Sequence, residues 1–257
     1  PNTIDKNPLV VATSVSGNTI ETITTLESAN KKNCKVIAFS SGGMIESFCT
    51  KNNIEFRKLP QIHSPRASFP SYVYSILKTL NSIIPITKQD IINSLEQLER
   101  TYEEISSTNL DDSNPSVNLA NWITGTPVIY YPHGLETVAI RFKNSLQENA
   151  KTHAISENVV ESSHNGIVSW ERPSSMVPIM IEGKDDHIKT KERWKILREY
   201  FEVNNIKYNE IQSVDGNILS KVMCLIYTLD YSTIYYAVQL GIDPSPIRSI
   251  DFIKDRL

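Results

Sequence analysis

Residues 14–19, with the sequence Ser-Val-Ser-Gly-Asn-Thr, lie where a short apolar run gives way to a helical pattern. The first N–H groups of a helix have no intrahelical partner, and the helix dipole attracts anions to them. The hydroxyls of Ser14, Ser16 and Thr19 add uncharged hydrogen-bond donors, and Gly17 lets the backbone approach a ligand closely. The segment therefore predicts a phosphate site.

The same loop also fits an ordinary helix start. Asn18 would be the N-cap, and Glu21, three residues later, would complete a capping box. No Gly-Lys-Ser/Thr follows, so this is not a Walker phosphate loop. The sequence leaves helix capping and phosphate binding open as two interpretations.

Two further loops follow the next predicted strands. Ser-Ser-Gly-Gly at residues 40–43 places Ser41 after the second strand, where small polar residues leave room for a ligand. Arg66 lies in the loop after the third strand, and its permanent charge could stabilise an anionic transition state or an enediolate. An ordinary turn and a surface arginine are the alternatives at these two positions.

Two groups in the second half of the chain could move protons. Glu148 lies at the carboxyl end of a predicted helix, where the negative end of the helix dipole disfavours a carboxylate charge, as burial also would. Such a carboxyl group can take and return a proton near neutral pH. His164, in a Ser-His-Asn-Gly loop, is an acid–base candidate. A solvated glutamate and a structural histidine are the alternatives.

Other kinds of site are less well supported. Lys254 lies in the predicted terminal helix and could act only if the tail folds back over a site; a solvated lysine is the alternative. The five histidines show no His-x-His, His-x₃-His or His-Glu-x₂-His spacing, so no metal site is predicted. Neither Gly-x-Ser-x-Gly nor Gly-x-Gly-x-x-Gly occurs, which removes the commonest hydrolase and dinucleotide-binding classes.

The elements that must carry these residues alternate between strand and helix in the first half. Such alternation indicates βαβ units and a parallel sheet, with the ligand crevice at the carboxyl ends of the strands. The patterns predict strands at 9–13, 35–39 and 55–59 and helices at 20–29, 44–52 and 72–107, the last with a break near Pro85.

The second half repeats this pattern. Asp-Asp-Ser-Asn-Pro at 111–115 is interpreted as a linker, which gives an N-terminal domain at 1–110 and a C-terminal domain at 111–257. The predicted fold class is α/β, with two αβα-sandwich domains and mainly parallel sheets. The predicted elements are strands at 127–131, 177–181 and 207–212, helices at 135–150 and 187–204, one long helix or a broken pair at 217–241, and a tail at 242–257 that ends in a short helix.

Composition narrows the class of protein. The chain of 257 residues has a hydrophobic fraction of 40% and a net charge of −3, so it lacks the basic surplus of a nucleic-acid binder. Its three scattered cysteines fit buried thiols in a reducing compartment. No apolar run is long enough for a membrane span, and the start, Pro-Asn-Thr-Ile-Asp-Lys, does not look like a signal peptide. We therefore expect a cytoplasmic protein without nucleic-acid or membrane partners.

Taken together, these stretches resemble the sugar isomerase (SIS) domain proteins, and in particular the bifunctional phosphoglucose/phosphomannose isomerases. The segment at 14–22 looks like the SIS phosphate loop. The other matching motifs are Pro-Arg-Ala-Ser-Phe-Pro at 65–70, Arg-Phe-Lys-Asn at 141–144 with Glu-Asn-Ala-Lys at 148–151, His-Asn at 164–165, and the tail from Gly-Ile-Asp-Pro at 241–244 to Lys254. They occur in the family's order across nearly the whole chain.

The resemblance implies two SIS domains with a hexose 6-phosphate bound between them. Ser14, Ser16 and Thr19 would hold the phosphate, and Ser41 would also contact the substrate. The implied reaction is the interconversion of glucose 6-phosphate and fructose 6-phosphate, a step of glycolysis and gluconeogenesis. Mannose 6-phosphate would be a second aldose.

The same resemblance implies catalytic roles. Glu148 would shuttle a proton between C1 and C2 through a cis-enediol, and Arg66 would stabilise the enediolate. His164 and Lys254 would help to open the sugar ring. His164 would come from the neighbouring subunit, so a homodimer is implied, without a cofactor or metal.

Two departures from the family pattern matter. Family members begin with a further segment that includes a Gly-Met-Gly-Gly-Ser-Gly-type loop, and nothing of that kind precedes Leu9, so we expect the given sequence to be part of a longer chain. Some members have a threonine seven residues before the terminal lysine, where this chain has Ile247, which puts the mannose 6-phosphate activity in question. A non-catalytic sugar-phosphate sensor and an isomerase for another sugar phosphate, such as an amino sugar, are the alternative functions.

Overall fold

A computed structural model describes residues 8–254 and residue 256, and the chain divides into two compact units after Thr87. The start of the chain, which we expect to carry no signal peptide, lies outside the described residues. No described helix is both long enough and apolar enough to cross a bilayer.

The first unit is built on a three-stranded parallel sheet in the order β1-β2-β3. Ser14 at the end of β1 pairs with Ser40 at the end of β2, so the loops that follow the two strands leave the sheet at the same edge. The elements are β1 (Leu9–Ser14), α1 (Ile20–Lys31), β2 (Lys35–Ser40), α2 (Gly43–Lys51), β3 (Glu55–Lys58) and α3 (Phe69–Thr79).

Apolar side chains cover both faces of this sheet. Ala12 and Ala38 pack with Leu26 of α1 and Ile45 of α2 on one face. On the other face, Ile37 and Phe39 pack with Tyr72 of α3. Burial on both faces is typical of a central strand in a parallel sheet and explains the continuous apolar run of β2.

The second unit contains a four-stranded parallel sheet in the order β5-β4-β6-β7. Helices α4, α5 and α6 pack against the long helix α9. The elements are α4 (Lys88–Ile105), α5 (Pro115–Trp122), β4 (Thr126–Tyr131), α6 (Glu136–Asn149), β5 (Ile155–Asn158), α7 (Val159–Ser162), a 3-10 helix (Gly166–Glu171), β6 (Met176–Glu182), α8 (Ile188–Val203), β7 (Asn209–Gln212), α9 (Ile218–Gln239) and α10 (Arg248–Lys254).

A large aromatic cluster forms the core between the sheet and α8. Tyr130 of β4 and Trp170 of the 3-10 helix pack with Trp194 and Phe201 of α8, and all four are buried. The indole Nε1–H of Trp170 donates to the hydroxyl oxygen of Tyr130 over 2.8 Å. This pairing satisfies two polar groups that would otherwise be costly to bury.

The predicted α/β class with parallel sheets is confirmed, and the predicted strands and helices all occur within a few residues of their expected ends. The break near Pro85 separates α3 from α4, and the long apolar segment forms one continuous helix, α9. The sequence analysis did not predict α5, β5, α7 or the 3-10 helix.

The division of the chain falls earlier than the expected boundary at 110/111. It lies after Thr87, because α4 packs against α9 and so belongs to the second unit. The segment interpreted as a linker contains a helix start. Oδ1 of the buried Asn114 accepts hydrogen bonds from the N–H groups of Ser116 (2.8 Å) and Val117 (3.1 Å), and Pro115 is the first residue of α5.

Candidate active site

The 14–19 loop forms a closed turn between β1 and α1. The hydroxyls of Ser14 and Thr19 share a hydrogen bond of 2.8 Å, and the N–H of Gly17 donates to both the carbonyl and the hydroxyl oxygen of Ser14, each at 3.2 Å. Ser14 is buried, whereas Ser16 and Thr19 are exposed. The structure therefore brings the three predicted phosphate ligands to one turn, with two of them at the surface.

No side chain caps the first turn of α1. Thr19 is the N-cap residue and makes no side-chain capping bond. Asn18 is used elsewhere, because its Oδ1 accepts the N–H of Met44 at 3.0 Å, while the carbonyl of Gly17 accepts the N–H of Ile45 at 3.0 Å. The capping alternative is thus not found. The loop caps α2 and leaves the amino end of α1 without a side-chain acceptor, which suits an anion.

Gly17 makes the close contact between the two loops possible. Its φ is +71°, and a Cβ atom there would overlap the carbonyl oxygen of Gly42. Only glycine combines this backbone conformation with so close an approach.

Ser41 joins the second loop to the first. Its hydroxyl donates to the carbonyl of Val15 over 2.6 Å, and its N–H donates to the same oxygen over 3.0 Å. The hydroxyl hydrogen is therefore occupied in holding the 14–19 loop. A substrate contact by Ser41 stays a prediction.

Arg66 is half-buried in a turn that leads into α3. The buried hydroxyl of Ser68 closes this turn, since it accepts the N–H of Ile62 at 2.9 Å and donates to the carbonyl of Ser64 at 2.9 Å. A fixed turn can present a guanidinium group with little loss of entropy, but the catalytic role of Arg66 stays a prediction.

In the second unit, one face of α6 is fixed to α9. Arg141 makes a bidentate ion pair with Asp230, with contacts of 2.6 to 3.2 Å, and the hydroxyl of Ser145 donates to the same carboxylate over 2.7 Å. One turn later, Nδ2 of Asn149 donates to the hydroxyl of Thr233 over 2.8 Å. Spaced four residues apart, these three side chains of α6 lie on one helix face.

The adjacent face of α6 presents Glu148 to a cavity of about 790 Å³. Asn144, Gln147 and Lys151 also line it, and the tail forms the other wall, including Ile247. We call this the Glu148 cavity. Because α6 runs back between the parallel strands β4 and β5, its carboxyl end lies at the amino-terminal edge of this sheet.

Lys151 holds the tail against this end of α6. Its Nζ donates to the carbonyl oxygens of Glu148 (2.5 Å), Pro246 (2.8 Å) and Pro244 (3.4 Å). Lys151 itself has a φ of +54°, the left-handed conformation that ends the helix. The tail therefore folds back over Glu148, as a role for the tail requires.

The two remaining predicted residues lie elsewhere on the second unit. Lys254 is exposed at the end of α10, and His164 is exposed in the turn after α7. Within the described part of the chain, neither lines the Glu148 cavity. Their catalytic roles stay predictions. No group of three or more His, Cys, Asp or Glu side chains among the described residues is placed to hold a metal ion.

Comparison with known proteins adds a sequence relationship to this geometry. Residues 112–257 match the family model described as the bacterial phospho-glucose isomerase C-terminal SIS domain. The bifunctional phosphoglucose/phosphomannose isomerase of Caldicellulosiruptor bescii is 30% identical over 271 residues, which cover 100% of this chain and 78% of that protein.

Two further comparisons, one of sequence and one of structure, add to this result. The D-glucosamine-6-phosphate 4-epimerase of Sulfolobus acidocaldarius is 29% identical over 98% of this chain and 77% of its own. The crystal structure of the tagatose-6-phosphate ketose/aldose isomerase of Escherichia coli superposes with a TM-score of 0.73 at 14% identity, covering 92% of this chain and 70% of that one. At so low an identity, the structural likeness shows the fold alone.

Proposed function

Because the chain belongs to the bifunctional phosphoglucose/phosphomannose isomerase family, we propose that it is a sugar-phosphate isomerase. Its substrates are glucose 6-phosphate and fructose 6-phosphate, with mannose 6-phosphate as a second aldose. The observation that carries the proposal is that Glu148 lines a cavity with the tail as its other wall, on a helix fixed by Arg141 and Asp230.

The phosphate group is bound by the 14–19 loop. Ser16 and Thr19 are exposed beside the uncapped amino end of α1, and Ser14 holds Thr19 in place. Hydroxyl and amide donors bind a phosphate dianion without requiring a basic side chain. This arrangement fits a chain whose net charge is −3.

Glu148 carries the proton. Isomerisation of an aldose to a ketose removes the C2 proton, forms a cis-enediol, and returns the proton to C1, so one base on one face of the sugar suffices. Because Arg141 and Asn149 anchor α6 to α9, the Glu148 carboxylate is held in a fixed position in the Glu148 cavity. Precise placement of a reacting group is worth several orders of magnitude in rate.

The other roles complete the reaction. Arg66 stabilises the negative charge of the enediolate, since its guanidinium group cannot lose its proton. His164 and Lys254 exchange protons with the ring oxygen and O1 during ring opening. The exposed position of His164 fits a residue that reaches the site of a second copy in a homodimer.

Ile247 bears on the choice of aldose. It lies in the wall of the Glu148 cavity and carries no hydrogen-bonding group. Glucose and mannose 6-phosphates differ only in the configuration of the C2 hydroxyl. We therefore propose glucose 6-phosphate as the preferred aldose.

The test is a coupled assay of glucose 6-phosphate formation from fructose 6-phosphate. We expect Glu148→Gln to lower kcat by at least about 100-fold while substrate binding persists, because general base catalysis is lost. Glu199→Gln, an exposed glutamate of α8, is the matched control and should keep full activity. Turnover retained by the Glu148 variant would remove this residue as the base.

The epimerase among the relatives favours one alternative, a reaction on an amino sugar phosphate. The same protein should be assayed with glucosamine 6-phosphate in parallel. Conversion of that compound, with no turnover of fructose 6-phosphate, would replace the hexose phosphate assignment.

A further inference from the structure

Glu157 is a half-buried acid that the proposed reaction does not use, and one of its two carboxyl oxygens is fully enclosed. It is the third residue of β5, and its Oε2 is enclosed by protein. Among the described residues, this oxygen is the one buried side-chain polar atom without a hydrogen-bond partner. An unpaired buried carboxylate is costly, so such an atom calls for a physical explanation.

The Glu157 carboxyl group lies against the turn that contains His164. A Cβ atom at Gly166 would overlap Oε2 of Glu157 and come within 3.3 Å of its carboxyl carbon. A side chain at 166 would therefore require the end of the Glu157 side chain to move. The acid therefore packs against the backbone two residues from the imidazole.

Hydrogen bonds hold the backbone of this turn in place. The N–H of His164 donates to the carbonyl of Glu161 over 2.9 Å, and the hydroxyl of Ser163 donates to the carbonyl of Val159 over 2.6 Å. Nδ2 of Asn165 donates to Oε1 of Glu161 over 2.8 Å. The backbone is thus held while the imidazole is exposed and able to turn.

The charge of Glu157 also acts on two tyrosines of β4. Burial and the charge of Glu157 raise the pKa of both Tyr130 and Tyr131, and Tyr131 also bonds to Glu136. Burial raises the pKa of the Glu157 carboxyl itself. In the turn against which the acid packs, His164 is the side chain that can bring a positive charge.

We propose that Glu157 is a positioning residue for His164, with its buried oxygen accepting a ring N–H of the imidazole in the assembled enzyme. This inference rests on the proposed function, in which His164 moves protons during ring opening. A carboxylate that accepts from one ring nitrogen fixes the tautomer and leaves the other nitrogen free to exchange a proton. It also favours the imidazolium form that arises in the reaction.

The direct test is nitrogen NMR of the full-length protein labelled in its histidine rings, with the His164 signals identified by their loss in His164→Gln. In the wild type we expect one dominant tautomer of His164. In Glu157→Gln we expect a mixture of tautomers, since the charged acceptor has been removed. Glu161→Gln, an exposed acid on the same turn, is the matched control and should leave the tautomer unchanged.

Activity gives a second readout. We expect Glu157→Gln to lower kcat about tenfold with little change in KM, and to shift the pH profile of kcat. Glu157→Asp keeps the charge and should restore part of the rate. A merely structural role would lower the thermal stability of both variants without moving the His164 tautomer.

Several results would overturn the proposal. One is a His164 ring that shows the same tautomer mixture in the folded wild type as in urea, a comparison that needs no variant to fold. Another is identical His164 signals in the wild type and Glu157→Gln. The NMR readout needs no turnover, so a wild type that fails to isomerise any sugar phosphate would refute the proposed function while leaving this pairing open to test.

Discussion

At the scale of single residues, Gly17 is the position where substitution should be most damaging to the phosphate loop. Alanine would have to adopt a φ near +71° and would overlap the carbonyl of Gly42. We expect Gly17→Ala to lower the free energy of unfolding by about 2–4 kcal/mol and to weaken sugar-phosphate binding, because strain and steric overlap add. Gly134→Ala is the control, since its φ is +92° but nothing lies within 4 Å of the added carbon. Urea denaturation of both variants measures the difference, and equal losses would contradict the steric argument.

Tyr130 gives the core a predictable dependence on pH. Burial raises the pKa of Tyr130 from 10.0 to about 12. The unfolded chain therefore releases this proton near pH 10 while the folded chain keeps it, so the stability conferred by the neutral phenol is complete below pH 10 and is lost as the pH rises towards 12.

We expect Tyr130→Phe to cost about 1–2 kcal/mol at pH 7, because the indole N–H of Trp170 loses its acceptor. At pH 11 the difference in the free energy of unfolding between wild type and variant should be smaller by roughly 1 kcal/mol. Urea denaturation at the two pH values tests this. A gap that is constant from pH 7 to pH 11 would be inconsistent with a raised pKa.

The sequence identified the hydroxyl turn at 14–19 correctly but not what its members do. Asn18 was a plausible cap for α1, yet its amide accepts the N–H of Met44, which is remote in sequence. That contact exists because β1 and β2 end in register, which is a property of strand pairing. Glu157 is a second example. Whether its Oε2 has a hydrogen-bond partner depends on the residues that enclose it in the fold, which the sequence does not specify.

At the scale of elements, the attachment of α6 to α9 should support both stability and catalysis. The Arg141 and Asp230 side chains are 19% and 23% exposed, so their pairing is worth more than a surface ion pair. We expect Asp230→Asn and Arg141→Met each to cost about 2 kcal/mol, and the double variant to cost about 1 kcal/mol less than their sum. Asp215→Asn, which breaks a surface pair with Lys184, should cost under about 0.5 kcal/mol. Strict additivity of the two α6–α9 variants would show that the pair is not coupled.

The elements that the sequence analysis did not predict have weak sequence patterns. β5 is a four-residue edge strand with no buried side chain, so it lacks the apolar run that marks a parallel strand. The helix α5 was not predicted because the Asn-Pro pair at its start, lying between polar residues, resembles a turn. The edge of the sheet at which Glu148 lies follows from the direction of α6, which a motif alone does not specify.

At the scale of the whole molecule, the position of α4 predicts how the chain can be divided. A fragment of residues 88–257 keeps α4 packed on α9, whereas one of residues 112–257 loses it and exposes an apolar face of α9. We expect the longer fragment to unfold cooperatively in urea, and the shorter one to be less stable by several kcal/mol or to aggregate. Neither should isomerise sugar phosphates, because both lack the 14–19 loop. Equal stability of the two fragments would show that α4 is dispensable for the second unit.

The sequence predicted the class of the whole molecule because alternating strands and helices with buried apolar runs have few other solutions. It misplaced the division between units because the partner of an amphipathic helix cannot be read from its own periodicity. That both units are SIS domains stays a prediction for the first unit, since the matching family model covers residues 112–257.

The ammonium group of Lys151 donates to main-chain oxygens of the tail, at Pro244 and Pro246. Every residue type offers the same carbonyl, so the course of the tail can survive while its side chains change. Evolution, or a library randomised at residues 247–250, can therefore vary this wall of the Glu148 cavity without releasing the tail. If the sugar binds there as proposed, substrate preference can change while the fold is kept.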